Sequence, residues 1–246
     1  MWGISKLVHI ASNNVIKKIQ EHFIYNKVDV DSLKIEIIGS DIYEYEFIDK
    51  LIVYNSEKIR YDHSKSGVCS KTGEYVAYVY FDFLNLTVDS VVHELKHVYI
   101  DWCIFKNNGN PIKETKEAKS LYTEDFAKLI SKESHLFPNL QPIFSNYYYS
   151  TNLEIPAFLE NFFLNHSYIN YKSIAIGLID FKVEDFKNNE CEIEYDKLMS
   201  YDIPRFTCNK NYATFLSRTQ KFFKKRGNYM LKKIRKVEIL INLKKK

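Results

Sequence analysis

The sequence is poor in the residues that break or cross-link a chain, with 7 glycines, 5 prolines and 4 cysteines among 246 residues. The cysteines lie far apart and have no Cys-x-x-Cys spacing, which argues against a structural zinc site and a disulfide framework. No run of about 18 apolar residues is present to span a membrane, and we expect no signal peptide at the start. A globular protein in a reducing, intracellular setting is therefore expected.

Charge is unevenly distributed along the chain, which has a formal net charge of +4 from 35 Lys/Arg and 31 Asp/Glu. Residues 217–246 contain 12 Lys/Arg and one acid, Glu238, a balance of 12 − 1 = +11. The rest of the chain contains 23 basic and 30 acidic residues, a balance of −7. This basic segment is compatible with contact to a polyanion such as nucleic acid, or with docking on a partner subunit. The alternative is a solvated helix face that ends in a frayed tail.

One short motif carries recognisable chemistry, His93-Glu94-Leu95-Lys96-His97. On an α-helix, His93 and His97 project from one face, so their imidazoles can hold one metal ion together. Glu94 points about 100° further round the helix. From there it can take a proton from a water on the ion without being a ligand itself. The motif therefore predicts a metal centre with Glu94 as its catalytic base.

The flanking residues favour a helix for this motif. An apolar stripe at helical spacing lies nearly opposite the histidines, formed by Val91, Leu95, Val98 and Trp102. Thr87 and Asp89 are candidate N-caps, and the aromatic and β-branched segment 75–83 predicts a strand just before the helix. The alternative is a helix with two incidental histidines, of which His97 pairs with Asp101 one turn later.

A strand followed by a His-Glu-x-x-His helix resembles the zincin metallopeptidases. The resemblance implies an α+β fold, with a twisted, mostly antiparallel sheet packed on the metal helix and a helical C-terminal part. It implies Zn²⁺ as the cofactor and a protein or peptide substrate, which Glu94 helps to hydrolyse. In that family the strand before the helix borders the cleft and pairs with the substrate backbone, so segment 75–83 takes this role.

Zinc held by two imidazoles needs a third protein ligand. The metzincin pattern continues with a glycine and a histidine, and here Ile100 and Cys103 occupy those positions, which excludes that class. Segment 147–158 instead resembles the tyrosine-rich Glu-x-x-Ala segment of phage and bacterial gluzincin-like peptidases. That resemblance implies Glu154 as the third ligand.

Other roles remain open for the residues near this segment. Glu154 can instead complete a capping box with Thr151, which would turn its carboxylate back to the backbone. Three residues are substitute third ligands: Glu160, His135 and His166. One tyrosine among residues 147–149 can stabilise an oxyanion, and Asp101 can orient His97 by a hydrogen bond.

We expect residues 1–168 to form the metallopeptidase domain, 169–216 a helical or mixed extension of it, and 217–246 a basic C-terminal arm. Patterning predicts helices over 8–27 and 114–132 and strands over 33–38 and 47–54, with loops at 64–67 and 71–73. From residue 170 onward the signal is weak, apart from a helix that begins at Tyr212.

Two classes of function are compatible with these features. The first is a cytoplasmic zinc peptidase of gluzincin type, including a regulatory peptidase that cuts one repressor. The second is a structural or assembly protein that keeps a zincin fold, for example a phage virion component. In that case the basic arm would contact nucleic acid or a neighbouring subunit.

Overall fold

The structure, a computed structural model, describes residues 6–26, 34–38, 50–55, 63–68, 73–81, 86–106, 134–164, 170–201 and 211–244. The chain folds into two compact units, residues 1–111 with 156–168, and residues 112–155 with 169–246. These units do not follow chain order, because the chain returns to the first unit at Pro156. Within the described ranges, we find no helix with the length and apolarity needed to cross a membrane.

The first unit combines a small sheet with helices. Its elements are α1 (Lys6–Asn26), β1 (Lys34–Ile38), β2 (Lys50–Asn55), β3 (His63–Val68), β4 (Tyr75–Phe81) and α2 (Val88–Lys106). The strand order is β1-β2-β4-β3. The β2–β4 pair is parallel, with Val53 opposite Val79, and the two outer pairs are antiparallel.

One face of this sheet packs with α1 and α2 in a shared hydrophobic core. Alternate residues of the two central strands point into the core, because successive strand side chains point to opposite faces: Leu51, Val53, Tyr75, Ala77, Val79 and Phe81. The helices contribute residues at helical spacing: Val8, Ala11, Val15, Ile19, Val91, Val92, Leu95 and Val98. The predicted helix at 8–27 and the predicted apolar stripe of the motif helix are thereby confirmed.

The predicted fold class, a twisted and mostly antiparallel zincin-like sheet, is wrong. Most of the described residues are helical, and the one small sheet has a parallel central pair. Leu51, Ile52 and Val53 of β2 are buried consecutively, as are residues 75–77 of β4. Continuous burial is typical of parallel strands covered on both faces, whereas a strand with one solvated face alternates.

The strand predicted before the motif helix is confirmed as β4, but it lies inside the sheet and not beside a substrate cleft. β4 has β2 on one side and β3 on the other, so both of its backbone edges are already paired. It cannot receive a substrate strand, and among the described strands β3 is the one beside it that has a neighbour on one side only. Residues 64–67 were predicted as a loop because serine, lysine and glycine are weak strand formers, but their pairing with β4 makes them a strand.

The second unit, as far as the structure describes it, is helical. Its helices are α3 (Gln141–Tyr149), the start of α4 (Glu154–Leu164), α5 (Tyr171–Ile179), α6 (Asn189–Ser200) and α7 (Tyr212–Lys244). Two short 3₁₀ turns lie at Ser134–Leu136 and Val183–Phe186. The predicted helix at 114–132 lies outside the described residues.

The basic segment is the C-terminal part of α7 rather than a separate tail over the described residues. One face of α7 is buried, including Phe223, Met230 and Ile234. The opposite face is exposed and carries most of the cations, namely Arg218, Lys221, Lys224, Lys225, Lys232, Arg235 and Lys236. Contact of this face with a polyanion or partner subunit remains a prediction.

Helices α5 and α7 approach each other closely at Gly227, which makes a glycine substitution informative. A Cβ atom at Gly227 would lie 2.5 Å from the carbonyl oxygen of Ala175 and 2.7 Å from the Ile179 side chain. We expect Gly227→Ala to lower the free energy of unfolding by about 1–2 kcal/mol, because overpacking outweighs the better helix propensity of alanine. Chemical denaturation measures this change.

Gly177 in α5 provides the matched control. A Cβ atom there would meet no heavy atom within 4 Å, and Gly177 also lies inside a helix. Gly177→Ala should therefore raise the free energy of unfolding by about 0.5–1 kcal/mol. A Gly227→Ala protein as stable as Gly177→Ala would contradict the close approach of the two helices.

Candidate metal centre

Helix α2 presents the motif in the orientation that its sequence predicts. The hydroxyl of Thr87 accepts a hydrogen bond from the backbone N–H of Ser90 at 3.1 Å, so Thr87 is the N-cap of this helix. Packing of the apolar stripe against the sheet fixes which way the helix faces. His93 and His97 consequently lie together on a different face from the stripe.

The two imidazoles converge on one point. Nε2 of His93 and Nε2 of His97 are 3.2 Å apart, and their rings meet edge to face at 80°. In a tetrahedral zinc site with Zn–N bonds of 2.0–2.1 Å, two imidazole nitrogens are separated by about 3.3 Å. His93 is buried and His97 is partly exposed. The spacing therefore matches two ligands of one ion.

Glu154 supplies a carboxylate to the same point. The ligand atoms of His93, His97 and Glu154 all lie within 4.8 Å of one another, and Glu154 is buried. Glu154 is in the first turn of α4, a continuous helix whose residues from Pro156 onward belong to the first unit. Two nitrogens and one oxygen are the donor set of a catalytic zinc site with a fourth position left open.

The capping-box alternative for Glu154 is only half realised. The hydroxyl of Thr151 accepts a hydrogen bond from the N–H of Glu154 at 3.2 Å, as a capping residue does. The other half of the box needs the N–H of Thr151, and this N–H donates to the carbonyl oxygen of Tyr148 at 3.1 Å. The backbone therefore does not require the Glu154 carboxylate.

The ring of Phe158 packs against that of His93, a contact that the sequence analysis did not predict. The Phe158 ring centroid lies 4.7 Å from that of His93, with the rings tilted by 54°. Phe158 follows Glu154 by four residues on α4, so the two side chains lie on one face of that helix. The spacing Glu154-x-x-x-Phe158 was the available signal, but aromatic residues are too common here to make it specific.

A buried arginine holds the turn that leads into Glu154. The guanidinium of Arg226 on α7 donates from Nε to the carbonyl oxygen of Ser150 at 2.7 Å, and from Nη2 to Oδ1 of Asn152 at 2.8 Å. Arg226 is only 6% exposed. One cation of the basic segment is thus part of the core of its unit and cannot bind a polyanion.

Of the three adjacent tyrosines, Tyr149 interacts electrostatically with Glu154. Burial, and after it the negative charge of Glu154, raises the pKa of Tyr149 above its ordinary value. A tyrosine is already protonated at neutral pH, and this shift acts in the same direction. Tyr147 packs against Phe223 and donates its hydroxyl to Thr219 at 3.0 Å, which makes it a core residue.

The substitute ligands are placed differently. Glu160 binds Nε2 of His9 through one oxygen and Nζ of Lys96 through the other, each at 2.7 Å, so its carboxylate is occupied. His135 is exposed on a 3₁₀ turn and is not one of the three grouped residues. His166 lies outside the described residues, and Asp101 is exposed.

Lys96, inside the motif, was not singled out from the sequence, although a signal was present. It is fully buried, as are Val92 and Ile100, which lie four residues before and after it on the same face. A lysine between two apolar residues at this spacing is on the buried side of the helix. Such a lysine requires a buried anion as its partner.

Comparison with protein-family models, with curated proteins and with solved structures gives no match. The resemblance to metallopeptidases therefore depends on the motif and on the three ligand atoms alone.

Proposed function

We propose that this chain is a zinc-dependent peptidase, with the ion held by His93, His97 and Glu154. The supporting observation is the convergence of their three ligand atoms within 4.8 Å, from two helices far apart in sequence. The 3.2 Å separation of the imidazole nitrogens fits tetrahedral zinc. Mixed nitrogen and oxygen donors suit zinc, whereas calcium and magnesium prefer oxygen ligands alone.

When bound, zinc supplies a Lewis acid that polarises a peptide carbonyl and acidifies water. Glu94, next to His93 on α2, would take the proton of the attacking water and pass it to the leaving amine. The protonated Tyr149 would donate a hydrogen bond to the oxygen that becomes negative during attack.

Peptide backbone is the substrate class that the sheet favours. In the part of the chain that the structure describes, β3 is an outer strand of the sheet, and it contacts the motif helix α2. An edge strand offers N–H and C=O groups that an extended peptide can pair with. A peptide aligned there would run beside the helix that carries His93, His97 and Glu94.

Metal analysis of the purified protein tests the proposal directly. We expect a single zinc ion per chain in the wild type, hydrolysis of an unstructured protein substrate, and loss of both in His93→Ala. The matched control is His135→Ala, because His135 is exposed and outside the group, so this variant should keep its zinc and its activity. Equal zinc content in wild type and His93→Ala would refute the metal site. A zinc-loaded protein that cleaves no peptide bond would refute the peptidase.

A further inference from the structure

A buried ionic cluster connects three helices of the first unit. Glu160 on α4 and Lys96 on α2 are both 0% exposed, and their Oε2 and Nζ atoms are 2.7 Å apart. The other oxygen of Glu160, Oε1, lies 2.7 Å from Nε2 of His9 on α1, whose side chain is 17% exposed. The Lys96 ammonium also lies 5.0 Å from the centre of the Tyr99 ring. Each buried charge thus has a partner.

Stability alone does not account for such a cluster. Burying charges has a large desolvation cost, and apolar residues of similar volume often replace a buried ion pair with no loss of stability. An ion pair also fixes the relative position of the two helices, because its atoms must meet at one distance and angle. An apolar contact would allow the two helices to slide or rotate against each other.

The cluster lies close to the candidate ligands along both helices. Lys96 directly precedes His97, and Glu160 follows Glu154 by six residues, a rise of about 9 Å along the helix. Two further contacts fix the same pair of helices. The side-chain amide of Asn161 donates to the carbonyl oxygen of Asp89 at 3.1 Å, and the Phe158 ring lies against that of His93.

We propose that Glu160 is a positioning residue of the metal centre, acting through Lys96 and His9. Its two short contacts set the rotation and register of α4 against α2, and so place the Glu154 carboxylate opposite the two imidazoles. This inference rests on the proposed zinc site. It states that Glu160 controls the affinity of that site for zinc. Glu160 does not touch the ion or the substrate.

The double variant Lys96→Met/Glu160→Met tests this role, since it removes both fully buried charges together and takes a partner only from the partly exposed His9. Zinc affinity is measured by competition with a chromophoric chelator, and the visible absorption of the Co²⁺-substituted protein reports the ligand geometry. We expect zinc affinity about 10- to 100-fold weaker than wild type and an altered Co²⁺ spectrum, with the thermal midpoint preserved. The matched control Lys17→Met/Glu21→Met removes an exposed ion pair of α1 and should change neither quantity.

A pair of variants at His9 decides the question if the double variant fails to fold. His9→Leu removes the hydrogen bond to Glu160, whereas His9→Gln keeps an N–H donor in its place. Weaker zinc binding in His9→Leu that His9→Gln restores supports positioning, and wild-type affinity in both overturns it. A folded double variant with wild-type affinity and Co²⁺ spectrum also overturns it and leaves the zinc site intact. A wild type that binds no zinc overturns the proposed function as well.

Discussion

Glu94→Gln should bind zinc as the wild type does and hydrolyse peptide bonds about 100- to 10,000-fold more slowly. The range is the usual contribution of a general base. Glutamine has nearly the shape of glutamate, and Glu94 is only 6% exposed, so the substitution should leave the surroundings in place. The amide cannot accept the proton of the attacking water. Zinc content and turnover, measured on the same preparation, separate binding from chemistry.

Glu192→Gln is the control for this substitution. Glu192 is exposed on α6, so the same chemical change at that position should leave both zinc content and turnover at wild-type values. Wild-type activity in Glu94→Gln would exclude Glu94 as the base. Loss of zinc together with activity would assign the Glu94 carboxylate to holding the ion.

Glu154→Ala should weaken zinc binding by more than about 100-fold. Removing a residue that only orients a ligand already costs about 10- to 100-fold in affinity, and a direct ligand contributes more. The proposed site assigns the carboxylate this role, since its oxygen lies within 4.8 Å of both imidazole ligand atoms. Competition with a chelator of known affinity measures the change.

Thr151→Ala separates the loss of a ligand from the loss of a helix cap. The Thr151 hydroxyl caps α4, so its removal should lower the free energy of unfolding by about 1 kcal/mol. Zinc affinity should fall far less than in Glu154→Ala. Similar stability losses in the two variants, with zinc affinity unchanged in both, would assign Glu154 to capping.

Local periodicity was enough to predict the motif helix. Val91, Leu95 and Val98 recur once per helical turn and therefore form one stripe. When that stripe is buried, His93 and His97 must lie on another side of the helix. The N-terminal helix was predictable for the same reason. The information for such elements lies within a few turns of one segment, and contact with a distant part of the chain is not needed to orient them.

The strands of the sheet and their order depend on pairing between distant segments, which the sequence of one segment does not determine. Residues 64–67 have the composition of a loop, and they are part of strand β3 because they pair antiparallel with β4. The parallel pairing of β2 with β4 likewise joins residues separated by β3. The consecutive apolar residues Leu51, Ile52 and Val53 were the local sign of a parallel strand covered on both faces, and the expectation of a mostly antiparallel sheet did not use it.

The sequence alone was sufficient to identify His93, Glu94 and His97 as a chemical group, because they lie within two turns of one helix. It favoured Glu154 as the third ligand and left Glu160, His135 and His166 as substitutes, and two of these four are acidic residues on the same later helix. Only the packing of the helices separates them: it brings Glu154 to the imidazoles and gives Glu160 to Lys96 and His9. The physical reason is that a buried carboxylate takes its role from the cations and donors that folding brings to it, and these come from distant parts of the chain.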